Sequence, residues 1–116
     1  MRIMLSKIKI IPEILTSVIP AKDVFHYEAL GAKDKYAVWA EDSEGSSLEA
    51  DNRKAEYSIQ GTIDYFTSED MDPNVDKIQE ALTVSCISFY LNSVQYESAD
   101  DSGSNLIHYE WIWEVS

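Results

Sequence analysis

A chain of 116 residues that is 45% hydrophobic, with three Trp, seven Tyr and three Phe, can bury one core of ordinary domain size and is not disordered throughout. Nine basic residues against 21 acidic ones leave a net charge of −12; residues 1–40 carry six Lys or Arg and four Asp or Glu, residues 41–116 three and 17. Duplex-DNA binders and polybasic membrane binders need the opposite sign, so both are disfavoured, whereas a basic partner, or a surface past which DNA slides without sticking, fits the balance.

From Ile3 to Val18 the apolar residues Met4, Ile8, Ile11, Leu15 and Val18 follow helical spacing, which predicts a helix over 4–18. Pro12 either kinks this helix or marks the first turn of a shorter one, and Pro20 ends it. Lys7, Lys9 and Glu13 interrupt the apolar residues, so the segment reads neither as a signal peptide nor as a membrane span. Together with a single cysteine, Cys86, which has no internal disulfide partner, this leads us to expect a soluble protein made in a reducing cytoplasm.

Two strand-like runs follow, Val24–Ala29 and Tyr36–Glu41, separated by a Gly-containing turn at Leu30–Lys35. Residues 42–54 are polar and acidic and read as a long loop. Ala55–Phe66 alternates cleanly, with Tyr57, Ile59, Ile63 and Tyr65 on one face and Glu56, Ser58, Gln60, Thr62 and Asp64 on the other, which predicts a half-buried strand. Asp72-Pro73 then opens a second helix: Asp72 is placed to cap free N–H groups and Pro73 suits the first helical position. Val75, Ile78, Leu82 and then Ser85/Cys86 form its apolar face, and Cys86 is expected to be a buried, inert thiol. Periodicity blurs through Ile87–Leu91, after which Asn92–Glu97 and Leu106–Val115 predict a hairpin turned by Ser98–Asn105.

The order helix, three strands, helix, two strands defines an α+β class. The expected architecture is an antiparallel, mixed-order sheet of about five strands with two helices packed on one face, in a single domain spanning 1–116. Short connections between strands imply antiparallel neighbours throughout.

No catalytic or cofactor pattern emerges. The four glycines stand alone with neither Walker nor dinucleotide spacing. His26 and His108 are the only histidines. Asp70, Asp72, Asn74 and Asp76 stand at alternate positions like the start of a calcium loop, but Val75 and Ala81 occupy the places of its glycine and its last glutamate. Capping and the helix dipole explain these acids better, so no metal, cofactor or catalysis is expected. The stripe Tyr109, Trp111, Trp113 has the spacing of a core strand, whereas Trp39 and Ile112 fall on the opposite parity of theirs, as subunit-contact residues would.

Several stretches in order resemble a family of small tail proteins of siphophages and Gram-positive prophages, the tail terminator and tail completion proteins of the head–tail joining region. These are Tyr36-Ala-Val-Trp-Ala-Glu-Asp42, Gln60-Gly-Thr-Ile-Asp-Tyr-Phe-Thr67, Asp72-Pro-Asn-Val-Asp-Lys-Ile-Gln-Glu-Ala-Leu82, Leu91-Asn-Ser-Val-Gln-Tyr-Glu97 and Leu106-Ile-His-Tyr-Glu-Trp-Ile-Trp-Glu-Val115. The resemblance spans about residues 24–115, and in the N-terminal helix it is one of general character only.

The resemblance implies a homo-oligomeric ring, usually a hexamer, that caps the tail tube and meets the head–tail connector proteins, with DNA only as passing cargo. It also implies assembly in the host cytoplasm, a final place in the virion tail and no membrane. Under it, Trp39, Phe66 and Ile112 are candidate subunit-interface residues. Glu41, Asp42, Glu44, Glu49 and Asp51 are candidates for an acidic bore or rim, since a basic bore would hold phosphates. The rival expectation is an acidic DNA mimic or regulatory binding protein, which would need carboxylates in a regular array along one face.

Overall fold

The computed structural model describes residues 5–31, 34–44, 58–97 and 105–116. The N-terminal apolar stripe does not form one helix: Leu5–Lys9 is a 3-10 segment, and helix α1 runs only over Ile10–Thr16. Pro12 is the reason. It sits in the first turn of α1, where its missing N–H and fixed φ are tolerated, and a longer α-helix would have set it in the interior. The same face is nevertheless buried, with Ile8, Ile11, Ile14, Leu15 and Ile19 all in the core. Pro20 follows, and a second 3-10 turn at Ala21–Asp23 leads into the sheet.

Five strands make one sheet in the order β1-β2-β3-β5-β4: β1 Val24–His26, β2 Lys35–Glu44, β3 Ile59–Thr67, β4 Ser88–Glu97 and β5 Leu106–Val115. The α+β architecture with both helices on one face is therefore observed. Two boundaries move. Strand β2 continues through Asp42–Glu44, residues expected in the loop, and β4 starts at Ser88 rather than Asn92. The rest of the long acidic loop, the Ala55–Tyr57 start of the third strand and the Ser98–Ser104 turn lie outside the described residues.

One pairing differs from expectation. Strand β1 runs parallel to β2, with Phe25 opposite Val38, whereas all other neighbours are antiparallel. The chain leaves β1 through Tyr27 at φ 77° and then Gly31 at φ 74°. Left-handed backbone at these two positions permits sharp changes of direction in the described part of the link between β1 and β2.

The inward face is set by register. Trp39 lies opposite Ile63, and Ile63 opposite Trp111; Ala37 lies opposite Tyr65, and Gly61 opposite Trp113. All of these face the helices and are buried. Trp39, expected on the exposed face as an interface residue, is thereby corrected to a core residue with only 7% of its surface accessible. Alternation in β2 places Tyr36 and Val38 on one face and Ala37 and Trp39 on the other, both apolar, so parity alone chose the wrong side.

Gly61 has a packing reason. A Cβ there would stand 2.1 Å from the Ala40 carbonyl oxygen and 2.4 Å from Cζ2 of Trp113, so only glycine lets the indole lie across β3. Beside it β2 bulges between Glu41 and Ser43.

Helix α2, Pro73–Val84, ends in a Schellman motif. The Cys86 amide donates to the Thr83 carbonyl (3.0 Å) and the Ile87 amide to that of Leu82 (3.2 Å). Cys86 occupies the left-handed position at φ 61° and its thiol is exposed, not buried as expected. Ile87 and Leu82, both buried, provide the apolar contact that goes with this motif.

Two outcomes follow from these backbone constraints. Gly61→Ala should destabilise the fold by about 3 kcal/mol or more, read as a lowered denaturant midpoint of tryptophan fluorescence; an unchanged midpoint would mean Trp113 does not lie over Gly61. Cys86→Gly should raise stability by up to about 1 kcal/mol, because glycine removes the left-handed penalty at an exposed site.

Candidate functional site

The helices leave one whole face of the sheet bare, and its side chains form an aromatic ladder across four strands. Phe25 on β1 meets Tyr36 on β2 edge-on at 6.3 Å, Tyr36 stacks on Phe66 of β3 at 4.6 Å, and Phe66 stacks on His108 of β5 at 4.2 Å. The register explains the ladder, since Tyr36 lies opposite Phe66 and Phe66 opposite His108. Cross-strand aromatic pairs of this kind stabilise a sheet by roughly 0.2–1 kcal/mol each.

Carboxylates flank the ladder. His108 Nε2 lies 2.7 Å from Asp64 Oδ1 and its Nδ1 lies 3.6 Å from Glu97 Oε2. Burial pushes the Asp64 carboxyl above the usual range; the hydrogen bond from His108 pulls the other way, and the nearby Glu110 charge pushes it up further. Burial, then the charge of Glu97, also raises the Tyr36 phenol. A shallow hollow of about 350 Å³ opens above this group, lined by Tyr27, Tyr36, Val38, Asp64, Phe66 and His108 among others. Of the three residues expected at an interface, Phe66 and Ile112 lie on this bare face, half-buried, and Trp39 does not.

At the free end of β2 a second cluster forms on the opposite side. His26 is sandwiched between Tyr27 and Trp39, with ring centroids 3.8 Å apart on both sides. Its Nε2 lies 2.9 Å from Glu41 Oε1, and the Tyr27 hydroxyl donates to Glu41 Oε2. Burial opposes ionisation of Glu41, but the hydrogen bonds from Tyr27 and His26 outweigh it and hold its carboxyl below the ordinary value. Glu41 is therefore tied to β1, whereas Asp42 and Glu44 are exposed; Glu49 and Asp51 lie outside the described residues.

The third polar cluster is buried and positions α2 on the sheet. Asp72 caps the helix as expected, its Oδ1 accepting from the Asn74 amide at 2.8 Å. Its Oδ2 also accepts from the hydroxyls of Tyr65 and Thr67, both at 2.7 Å, and Lys35 Nζ lies 3.7 Å away. Asn74 Nδ2 donates to the Tyr65 oxygen at 3.0 Å, and farther along α2 Gln79 accepts from the Trp111 indole at 2.9 Å. Burial disfavours the Asp72 anion, yet the donors from Asn74, Thr67 and Tyr65, with the Lys35 charge, hold its carboxyl below the ordinary value.

Sequence reasoning had not found the ladder, because Phe25, Tyr36, Phe66 and His108 are scattered over four strands. Nor had it found the exposure of β4, where Tyr90, Leu91, Val94 and Tyr96 all stand open to solvent.

These surfaces define an α+β sheet protein in which, among the described residues, the helices cover one face only. No family model matches the chain, and no curated protein matches it. Among solved structures, one chain of the virion of a native gene transfer agent particle is similar at 10% sequence identity, with a TM-score of 0.43 over 87% of this chain and 83% of that one. What the present chain can do is decided by its own surfaces.

The Asp72 cluster sets the response to acid. A folded-state carboxyl held below the unfolded value of about 3.9 contributes stability above that pH and loses it as pH falls through the folded value. Asp72→Ala should cost about 3 kcal/mol or more at neutral pH, since it removes the cap and leaves the buried Tyr65 and Thr67 hydroxyl protons without their acceptor. Denaturant titrations in a pH series should find the gap between the two proteins narrowing below about pH 4; a constant gap would remove ionised Asp72 from the account.

Proposed function

We propose that this chain is a structural subunit of a phage-like tail. In this reading its copies close into a ring, expected to be a hexamer, on the end of the tail tube and help join the tail to the head, with no catalytic step. The observation that carries the reading is the bare sheet face. It holds an aromatic ladder and the half-buried Phe66 and Ile112, and a second subunit laid over it would bury them as the helices bury the other face. A head-to-tail contact of this sort closes into a ring when its rotation divides a full turn.

Charge supports the same role. DNA passing through such a ring must not adhere, and a net charge of −12 with Asp42 and Glu44 exposed at the end of β2 suits a bore or rim of that kind. The partners would be other copies of the chain, the tail tube protein and the head–tail connector proteins. The protein would assemble in the host cytoplasm and end in the virion.

The test uses purified tail tubes and the full-length chain. Wild type should bind tube ends as rings visible in negative stain. Phe66→Glu and Ile112→Glu should keep the far-UV spectrum of the fold, with a modestly lowered thermal transition for Phe66→Glu, which loses two stacked rings, while end-binding drops by at least tenfold. Absence of end-binding by the wild type would sink the terminator reading, and normal binding by both variants would remove the bare face from it.

A further inference from the structure

Strand β4 is ten residues long and stands at the edge of the sheet, its outer side without a neighbouring strand among the described residues. From Ser88 to Tyr96 it carries no charge, in a chain of net charge −12, and it has neither lysine nor proline. Those are the devices by which exposed edges are usually protected from pairing. Its large side chains are open on both faces: Leu91, Val94 and Tyr96 are 43%, 51% and 65% accessible on the helix side and Tyr90 is 58% accessible on the bare side. We propose that two copies of this chain pair through β4, antiparallel about a two-fold axis, joining their sheets into one of ten strands.

The bulge between Leu91 and Ser93 makes the strand complementary to itself. Phe89 and Leu91 lie opposite Trp113 and Trp111, on the helix side; past the bulge Val94 and Tyr96 take that side, opposite Tyr109 and Ile107. The inward residues are thus odd-numbered in the first half of β4 and even-numbered in the second. Residues directly opposite in an antiparallel pair share a face. The register that sets Ser88 against Glu97 of the second copy therefore sets Phe89 against Tyr96, Leu91 against Val94 and Tyr90 against Gln95. A slip by one residue would set every apolar side chain against one from the other face. Asn92, at the bulge, donates to Glu110 at 3.0 Å, which holds the irregularity against β5.

Electrostatics select the same contact. Two strongly acidic copies repel, and approach is cheapest where neither brings a carboxylate. In this register each Glu97 meets a serine, and the two Glu97 side chains stand roughly 30 Å apart, at about 3.3 Å per residue along the strand. That exceeds the screening length of about 8 Å at physiological salt. A two-fold dimer has no polarity, so this contact belongs to free subunits and is separate from a polar ring on a tail. The inference does not rest on the tail reading.

Light scattering across a wide concentration range should give a dimer for the wild type and a monomer for Val94→Lys and Leu91→Lys, each with an unchanged far-UV spectrum. The single exposed cysteine provides an independent distance. Spin labels on Cys86 should lie roughly 40 Å apart in the dimer, from the same rise per residue. In a Cys86→Ser background, Ser93→Cys should form an intermolecular disulfide under mild oxidation, because residue 93 lies beside the two-fold axis. A wild type that stays monomeric overturns the proposal, as does an oligomer that Val94→Lys and Leu91→Lys leave intact, or Cys86 labels in close contact. End-binding to tail tubes should survive Val94→Lys, so the two readings fail separately.

Discussion

The structure depends on one buried carboxylate. Asp72 ends the segment after β3, starts α2, and accepts from Tyr65 and Thr67 on the sheet as well as from its own helix. A buried anion is costly unless its lone pairs are filled, and here they are filled by groups on two elements that could otherwise slide past each other. Fixing α2 at that point also fixes Gln79 over the Trp111 indole and lays Ile78 and Leu82 on the sheet. With α1 packed beside it over β1 and β2, both helices are committed to one face.

Everything exposed follows from that commitment. Two helices of seven and 12 residues cover the inner side of β2, β3 and β5 but leave the far half of β4 open. The other face receives no helix among the described residues, and its aromatic side chains cover one another in a ladder that ends on His108 between two carboxylates. A sheet built this way exposes two distinct surfaces: a broad polar-aromatic face and an edge that is uncharged from Ser88 to Tyr96. They suit different geometries, since a face can accept a neighbour head-to-tail whereas an antiparallel edge pairs most completely with its own copy.

Positive-φ residues mark where the chain departs from the simplest course. Tyr27 and Gly31 lie in the link that follows the parallel strand β1, and Cys86 closes α2 in a position that usually belongs to glycine. At Gly61 the requirement is different: the site needs the absence of a side chain, so that Trp113 can cross the sheet beside the Glu41 bulge.

Local chemistry made much of the fold legible from sequence. Asp72-Pro73 announces the start of α2 because capping and proline geometry are properties of a few adjacent residues. The alternation in Ala55–Phe66, observed as a strand over Ile59–Thr67, and that in Leu106–Val115 announce strands because side chains must alternate across a pleat. What remained illegible needed a partner strand. Trp39 and Val38 are equally apolar, and only the register against Ile63 and Trp111 decided that Trp39 faces inward. Phe25, Tyr36, Phe66 and His108 meet because four strands stand side by side in one order, which no local pattern encodes. The blurred periodicity around Leu91 was a bulge, visible as such only against β5. Composition and local pattern determined an acidic α+β protein with the start of α2 and the course of its main strands; tertiary structure alone decided where the first helix begins and which faces the helices leave uncovered, because exposure is a relation between elements that are distant in the chain.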